Sequence, residues 1–328
     1  MPTAQSAAIS PQALDEVRRV AEAVRGEVGK VVIGLDAIID ALLVTLLAGG
    51  HSLMEGVPGV AKTTLAKAFS ATLGLSFRRI QFTPDLLPGD ITGTYIFNMK
   101  TGEFTLRRGP VFSNIVLADE INRAPAKTQA ALLECMQERQ VTIEGETMVL
   151  EPPFLVLATQ NPIEQEGVYP LPEAQVDRFL AKIIVGYPQP EDERRMVLHY
   201  QQRPVDPSAV VPPGWVLRTQ GLVDQVHADE SLVDYILALA QATRAHSAVA
   251  LGVSPRACLA LQQAARAKAL LAGRDYVIPD DVREVAPQVL HHRVILTPEA
   301  EIDGLTGRAV VDSILDRTPM PAVESRGA

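Results

Sequence analysis

The stretch Gly56-Val57-Pro58-Gly59-Val60-Ala61-Lys62-Thr63-Thr64 constrains the fold of this chain more than any other. It follows a short apolar run at residues 51–55 and leads into Leu65, Ala66 and Phe69, which read as the start of a helix. A glycine-containing turn between a strand and a helix aims backbone N–H groups and the positive end of the helix dipole at one spot, which suits phosphate. Lys62 would reach the outer phosphates of a nucleotide and the Thr63 hydroxyl would meet magnesium. The strict pattern has glycine where Ala61 stands, and alanine fits if its backbone stays at negative φ. Taken alone, the segment also reads as an ordinary strand-to-helix turn with a surface lysine.

Short apolar runs alternating with helical patterns continue from this loop, as a parallel sheet flanked by helices requires. Candidate strands lie at 51–55, 77–82, 115–118, 154–159 and 181–185. Two of them end in polar groups that matter. The third delivers Asp119-Glu120, where Asp119 would bind magnesium and Glu120 would polarise an attacking water. The fourth delivers Asn161, whose amide could bond that water or a γ-phosphate if the two strands are neighbours. Arg178 stands just before the fifth strand, either as a solvated helix end or as a charge offered to a neighbouring subunit. Arg256 follows Ser254-Pro255, an N-cap and first-turn proline, so it sits at a helix start where a cation opposes the dipole and invites an anion.

Two alternating segments, 92–107 and 141–150, read as hairpins inserted between the strands. Prolines cluster at 188, 190, 204, 207, 212 and 213, and Ala/Leu-rich helical patterns follow at 230–246, 254–271, 279–291 and 303–315. The expected division is a nucleotide-binding core at 1–190, a proline-rich linker at 191–220, an all-helical lid at 221–316 and a flexible tail at 317–328.

Composition removes several function classes. With 30 basic and 39 acidic residues the net charge is −9, which disfavours wholesale attraction to a nucleic-acid backbone. No apolar run is long enough to span a bilayer, and the first ten residues lack a secretory pattern, so a cytoplasmic protein is expected. Two isolated cysteines, Cys135 and Cys258, make neither a disulfide framework nor a metal site.

The ordered set of the loop at 56–64, Asp119-Glu120, Asn161, Arg178 and Arg256 resembles Walker A, Walker B, sensor 1, arginine finger and sensor 2 of AAA+ ATPases. The phrases Glu55-Gly56-Val57-Pro58-Gly59-Val60-Ala61-Lys62-Thr63, Ala118-Asp119-Glu120-Ile121-Asn122-Arg123-Ala124, Ala158-Thr159-Gln160-Asn161-Pro162, Leu171-Pro172-Glu173-Ala174-Gln175 and Ser254-Pro255-Arg256-Ala257 resemble the MoxR family within that group, and Ala61 is familiar there. The resemblance covers residues 10–315. It implies an α/β fold with a parallel five-stranded sheet of order 5-1-4-3-2, a helix-2 insert, a pre-sensor hairpin and a helical lid. It implies ATP and Mg2+ as cofactors, with Ile33-Gly34 lining an adenine pocket. It also implies homo-oligomeric rings, usually hexamers, with ATP at subunit interfaces and Arg178 acting in trans; Arg123 is a second interface candidate. Such proteins are similar to chaperones that remodel client proteins, often with a von Willebrand factor A (VWA) domain partner. A magnesium-chelatase-like ATPase subunit, a nucleic-acid motor and a non-hydrolysing scaffold are the competing readings.

Overall fold

The structure, a computed structural model, describes residues 9–162, 168–201 and 206–321. Its centre is a sheet of five strands, β1 (Ser52–Glu55), β2 (Phe77–Gln81), β3 (Ile115–Asp119), β4 (Leu155–Gln160) and β5 (Ala181–Ile184). They lie side by side in the order β5-β1-β4-β3-β2, every pair parallel, as the resemblance implied. A parallel strand covered on both faces must be apolar on both, and β3 is buried along its whole length.

Alternate side chains of the same strands feed two separate cores. Met54, Ile115, Leu117, Leu155 and Leu157 pack on one face with the helices Pro11–Gly29, Asp36–Leu47 and Lys62–Leu73. Leu53, Val116, Ala118, Val156 and Ala158 pack on the other with Leu132, Leu133 and Met136 of the helix Ala126–Glu138. The period-2 geometry of the strand therefore divides the molecule into layers.

Both expected hairpins form, the first from Gly93–Asn98 and Glu103–Arg108, the second from Gln140–Ile143 and Glu146–Val149. The Tyr95 hydroxyl donates to the Glu146 carboxylate at 2.7 Å and ties one hairpin to the other. On the first hairpin Phe97 and Phe104 pack ring against ring at 5.2 Å.

The lid is built from the helices Glu230–Ala245, Pro255–Leu271, Pro279–Leu290 and Gly307–Arg317, with one short antiparallel ladder between Val249–Leu251 and Ile295–Leu296. The last helical stretch is divided differently from the expected 303–315. A short helix Pro298–Ile302 ends first, Gly304 turns the chain at φ +77°, and the Thr306 hydroxyl then caps Gly307–Arg317. The expected linker at 191–220 contains two helices, Pro190–His199 and Trp215–Val223, and Trp215 and Val216 are buried in the main core. Pro190 occupies the first turn of its helix, where a missing N–H costs nothing. Residues 1–8, Pro204 of the linker and residues 322–328 of the tail lie outside the described residues.

Among the described residues no helix is long and apolar enough to cross a membrane. Both cysteines are free; burial pushes the Cys135 thiol up to about 12, which suits a packing role.

Candidate functional site

The loop after β1 is shaped by two close approaches. A side chain at Gly56 would meet the Val185 carbonyl oxygen at 2.3 Å, so only glycine lets the end of β5 lie this near. Gly59 turns at φ +86°. Ala61 also departs from what the sequence suggested. Its φ of +60° and ψ of 22° put it in the left-handed region, not at negative φ, and it caps the helix Lys62–Leu73 from that conformation. A non-glycine residue there costs about 1–2 kcal/mol, so the loop holds its shape against a local preference. The Lys62 ammonium curls back to the carbonyls of Gly56 and Val57. Val57 is half-buried, Val60 buried, and Pro58, Gly59 and Thr64 exposed.

Beside this loop the ends of β3 and β4 bring the acids in. Thr63 Oγ1 donates to Asp119 Oδ2 at 3.2 Å. Thr159, on β4, donates its hydroxyl to Asp119 Oδ1 at 2.6 Å and accepts the Glu120 backbone N–H at 2.9 Å. Glu120 has φ +57°, in the left-handed region. Its carboxylate accepts from Gln81 Nε2 at 2.7 Å and pairs with Arg123 Nε at 3.3 Å. Arg123, expected as an interface candidate, thus contacts the acid of its own chain. Arg79 of β2 pairs with Asp119 at 2.8 Å. Asn161 follows β4, is 7% exposed, and stands next to Gly56, whose N–H bonds the Gln160 carbonyl at 3.3 Å.

A threonine hydroxyl and a carboxylate within 3.2 Å are hard oxygen donors of the kind Mg2+ takes when substrate phosphates and water complete its shell. The donor set therefore fits that ion. Among the described residues no group of three or more His, Cys, Asp or Glu could hold a metal alone.

Ile33 and Gly34 border a cavity of about 240 Å³ together with Arg25, Val32, Asp36 and Arg195. Gly34 lies at φ +81°, and a side chain there would meet Asp192 Cβ at 2.8 Å. The helix Pro190–His199 thus closes over the segment expected to hold adenine.

Arg178 and Arg256 are elsewhere. Both line a cavity of about 540 Å³ with Gly49, His51, Arg139, Asp177, Arg266 and Arg293. Its residues precede β1 and β5, so in a parallel sheet it opens at the opposite end from the loop and the acids, about 13 Å away along the strands. The lining holds five arginines and a single carboxylate, Asp177. Arg178 Nη1 donates to the Leu133 carbonyl at 3.1 Å, and Arg256 is exposed in the first turn of its helix, where the Ser254 hydroxyl accepts the Ala257 N–H at 3.4 Å. Arg266 Nε is buried and has no hydrogen-bond partner among the described residues. His51 on the same rim accepts the Val156 N–H at Nδ1, faces the Met136 carbonyl with Nε2, and is pushed down to about 4 by burial.

Sequence reasoning missed Thr159, Arg79 and Gln81. Thr159 lay within the quoted phrase before Asn161, and the polar pair Arg79 and Gln81 on a predicted strand was the signal for the other two.

Residues 51–181 match the family described as ATPase family associated with various cellular activities (AAA), and residues 241–314 match the AAA lid domain. The chain is 49% identical to Chaperone MoxR1 of Mycobacterium tuberculosis, over 91% of this chain and 82% of that protein. It is 35% identical to Protein MoxR of Paracoccus denitrificans, over 89% of this chain and 94% of the relative. A crystal structure of an ATPase candidate from Cytophaga hutchinsonii is similar with a TM-score of 0.88 and 45% identity, covering 95% of this chain and 98% of that one. With nucleotide core and lid matched in order, and relatives matched over most of their length, this chain belongs to the MoxR family of AAA+ ATPases.

Proposed function

We propose that this ATPase hydrolyses ATP to ADP and phosphate in a homo-oligomeric ring, and spends the resulting motion on remodelling or activating protein clients. The observation that carries the reading is the separation of the site into two halves at opposite ends of one sheet. Lys62 and the backbone N–H groups of residues 56–64 bind the phosphates. Thr63 and Asp119 hold Mg2+, which when bound neutralises phosphate charge. Glu120 takes the proton of the attacking water, Asn161 orients that water, and Thr159 sets the angle between the two acids. Ile33 and Gly34 border the base.

Arg178 and Arg256 cannot reach this centre within their own chain, so each serves the nucleotide of an adjacent subunit. An arginine-rich cavity with an unpartnered buried N–H is suited to an anion brought by a neighbour. Six subunits, a VWA-domain partner and a role in maturing metal-containing complexes complete the reading, and all three rest on the resemblance; the cytoplasmic setting is carried over from the expectation drawn from the sequence.

The test is subunit mixing. Lys62→Ala and Arg178→Ala chains should each be inactive alone and recover ATP turnover when mixed, because some interfaces then combine an intact loop with an intact arginine. Absence of recovery at every ratio, with assembly intact, would exclude action in trans.

A further inference from the structure

Of the arginines around the larger cavity, Arg293 is the one that cannot take an anion. Its side chain is 4% exposed and every N–H it owns is already committed. Nε donates to Asp177 Oδ1 at 2.6 Å, Nη2 to the carbonyls of Asp177 at 3.1 Å and Phe179 at 2.7 Å, and Nη1 to those of Leu180 at 3.1 Å and Val289. Three of these carbonyls belong to residues 177, 179 and 180, which bracket Arg178. The neighbouring His292 adds a fifth hold on this stretch, with Nε2 3.2 Å from the Phe179 carbonyl.

Arg293 belongs to the lid, in the turn His291–Arg293 after the helix Pro279–Leu290, whereas residues 177–180 belong to the core. That core stretch runs between the short helix Glu173–Val176 and β5, and a connecting segment of this kind moves unless something ties it. A charge that stabilises a transition state must be held within about 0.5 Å of its working position. Arg256, like Arg139 an exposed arginine of the cavity, is also on the lid and close enough to Arg293 to weaken its hold on its proton. Burial pushes the same guanidinium down and the Asp177 carboxylate pulls it back up.

We propose that Arg293 and Asp177 form a clamp that positions Arg178 and fixes its spacing from Arg256, so that lid and core present two arginines to the neighbouring subunit as one rigid unit. The inference rests on the reading of Arg178 as acting in trans. Arg293 touches neither nucleotide nor client; it acts through the backbone it holds.

The clamp predicts damage to the neighbour's site and none to the chain's own. In Arg293→Gln and Asp177→Asn chains, kcat should fall by about tenfold while KM for ATP stays within about twofold, since substrate binding is left alone and transition-state stabilisation is lost. Each is then mixed with a Glu120→Gln chain, which lacks its own base and carries an intact clamp. Turnover of the mixture should exceed the weighted mean of the two unmixed proteins, and Arg293→Lys, which keeps the charge without the planar fork, should recover in the same mixture. A parallel mixture of Arg178→Ala with Glu120→Gln separates the two ways of failing. If that control recovers and the clamp variants do not, the clamp is overturned and the trans arginine stands. If the control itself shows no recovery, the trans reading falls and the clamp falls with it. Removing one partner of a buried pair can unfold a protein, so melting curves accompany each variant, and Asp177→Asn, whose position is 28% exposed, carries the test if Arg293→Gln does not fold.

Discussion

The two ends of the central sheet are built by different means. At the C-terminal ends of β1, β3 and β4 the candidate functional groups come from short motifs, and the side chains that hold them stand on neighbouring elements of the same core, 39 to 56 positions away. At the N-terminal ends the functional arginines come from two domains, and the contacts that hold them join residues more than a hundred positions apart. One end is a local construction that the chain completes by itself. The other joins core and lid and turns outward, where in the proposed ring a second copy would finish it.

Breaking each end should give distinguishable failures. The largest effect is expected for Arg178→Ala, which should reduce turnover by about 10³-fold or more, as loss of an arginine finger does elsewhere. Tight ATP binding should persist in that variant, measured with a fluorescent nucleotide analogue. Glu120→Gln should cost about 10²–10⁴-fold in kcat and leave nucleotide bound, and only this defect should be confined to the chain that carries it.

Acid separates the ends by stability instead of rate. His51, on the arginine rim, and His291, at the clamp turn, are both pushed down to about 4 by burial, against an ordinary value of 6.5. The unfolded chain therefore takes up protons first as pH falls. Their contribution is complete above pH 6.5 and lost on the way to pH 4, by up to about 3 kcal/mol for each histidine. Urea midpoints measured at pH 7 and pH 4.5 should differ accordingly, with a smaller difference in His51→Gln; equal midpoints would remove this account of the rim.

Two smaller changes probe the local end. Thr159→Val keeps the shape of β4 but removes the hydroxyl between Asp119 and Glu120, and about a tenfold loss in kcat is expected, with circular dichroism unchanged. Ala61→Gly relieves a left-handed alanine and should raise stability by about 1 kcal/mol, seen as a rise in Tm of about 2 °C. A fall in Tm would mean that the entropy glycine adds to the unfolded chain outweighs the relief.

The same contrast explains what could be read from the sequence. The five strands, both hairpins and the residues of the loop and the acids were legible, because each depends on a contiguous pattern whose physics is local, whereas the sheet order came only with the family resemblance. The conformation of Ala61 was not, since the local preference of alanine points the other way and the surrounding packing wins. Thr159 and Gln81 are ordinary polar residues on strands until β3 is set between β2 and β4. Arg178 and Arg256 were singled out as arginines, but that they share one cavity follows only from the way the lid returns to the core. Arg293 gave no signal at all, because its partners are mostly backbone carbonyls, which every residue possesses.

The proline-rich stretch looked like a boundary, yet Trp215 and Val216 are buried in the same core as the N-terminal helix Pro11–Gly29 and the lid helix Pro255–Leu271. The first helix of the chain and the domain at its far end share one apolar interior. The lid is therefore not a flap hinged on a tether. A chain cut at residue 190 would leave Val17, Val20 and Leu42 without part of the cluster that buries them, and a lid expressed alone would lack the helix that seals it. Core and lid should accordingly melt as one body, while the hairpins contribute nothing to this interior, Val141 and Ile143 being buried in the other core instead.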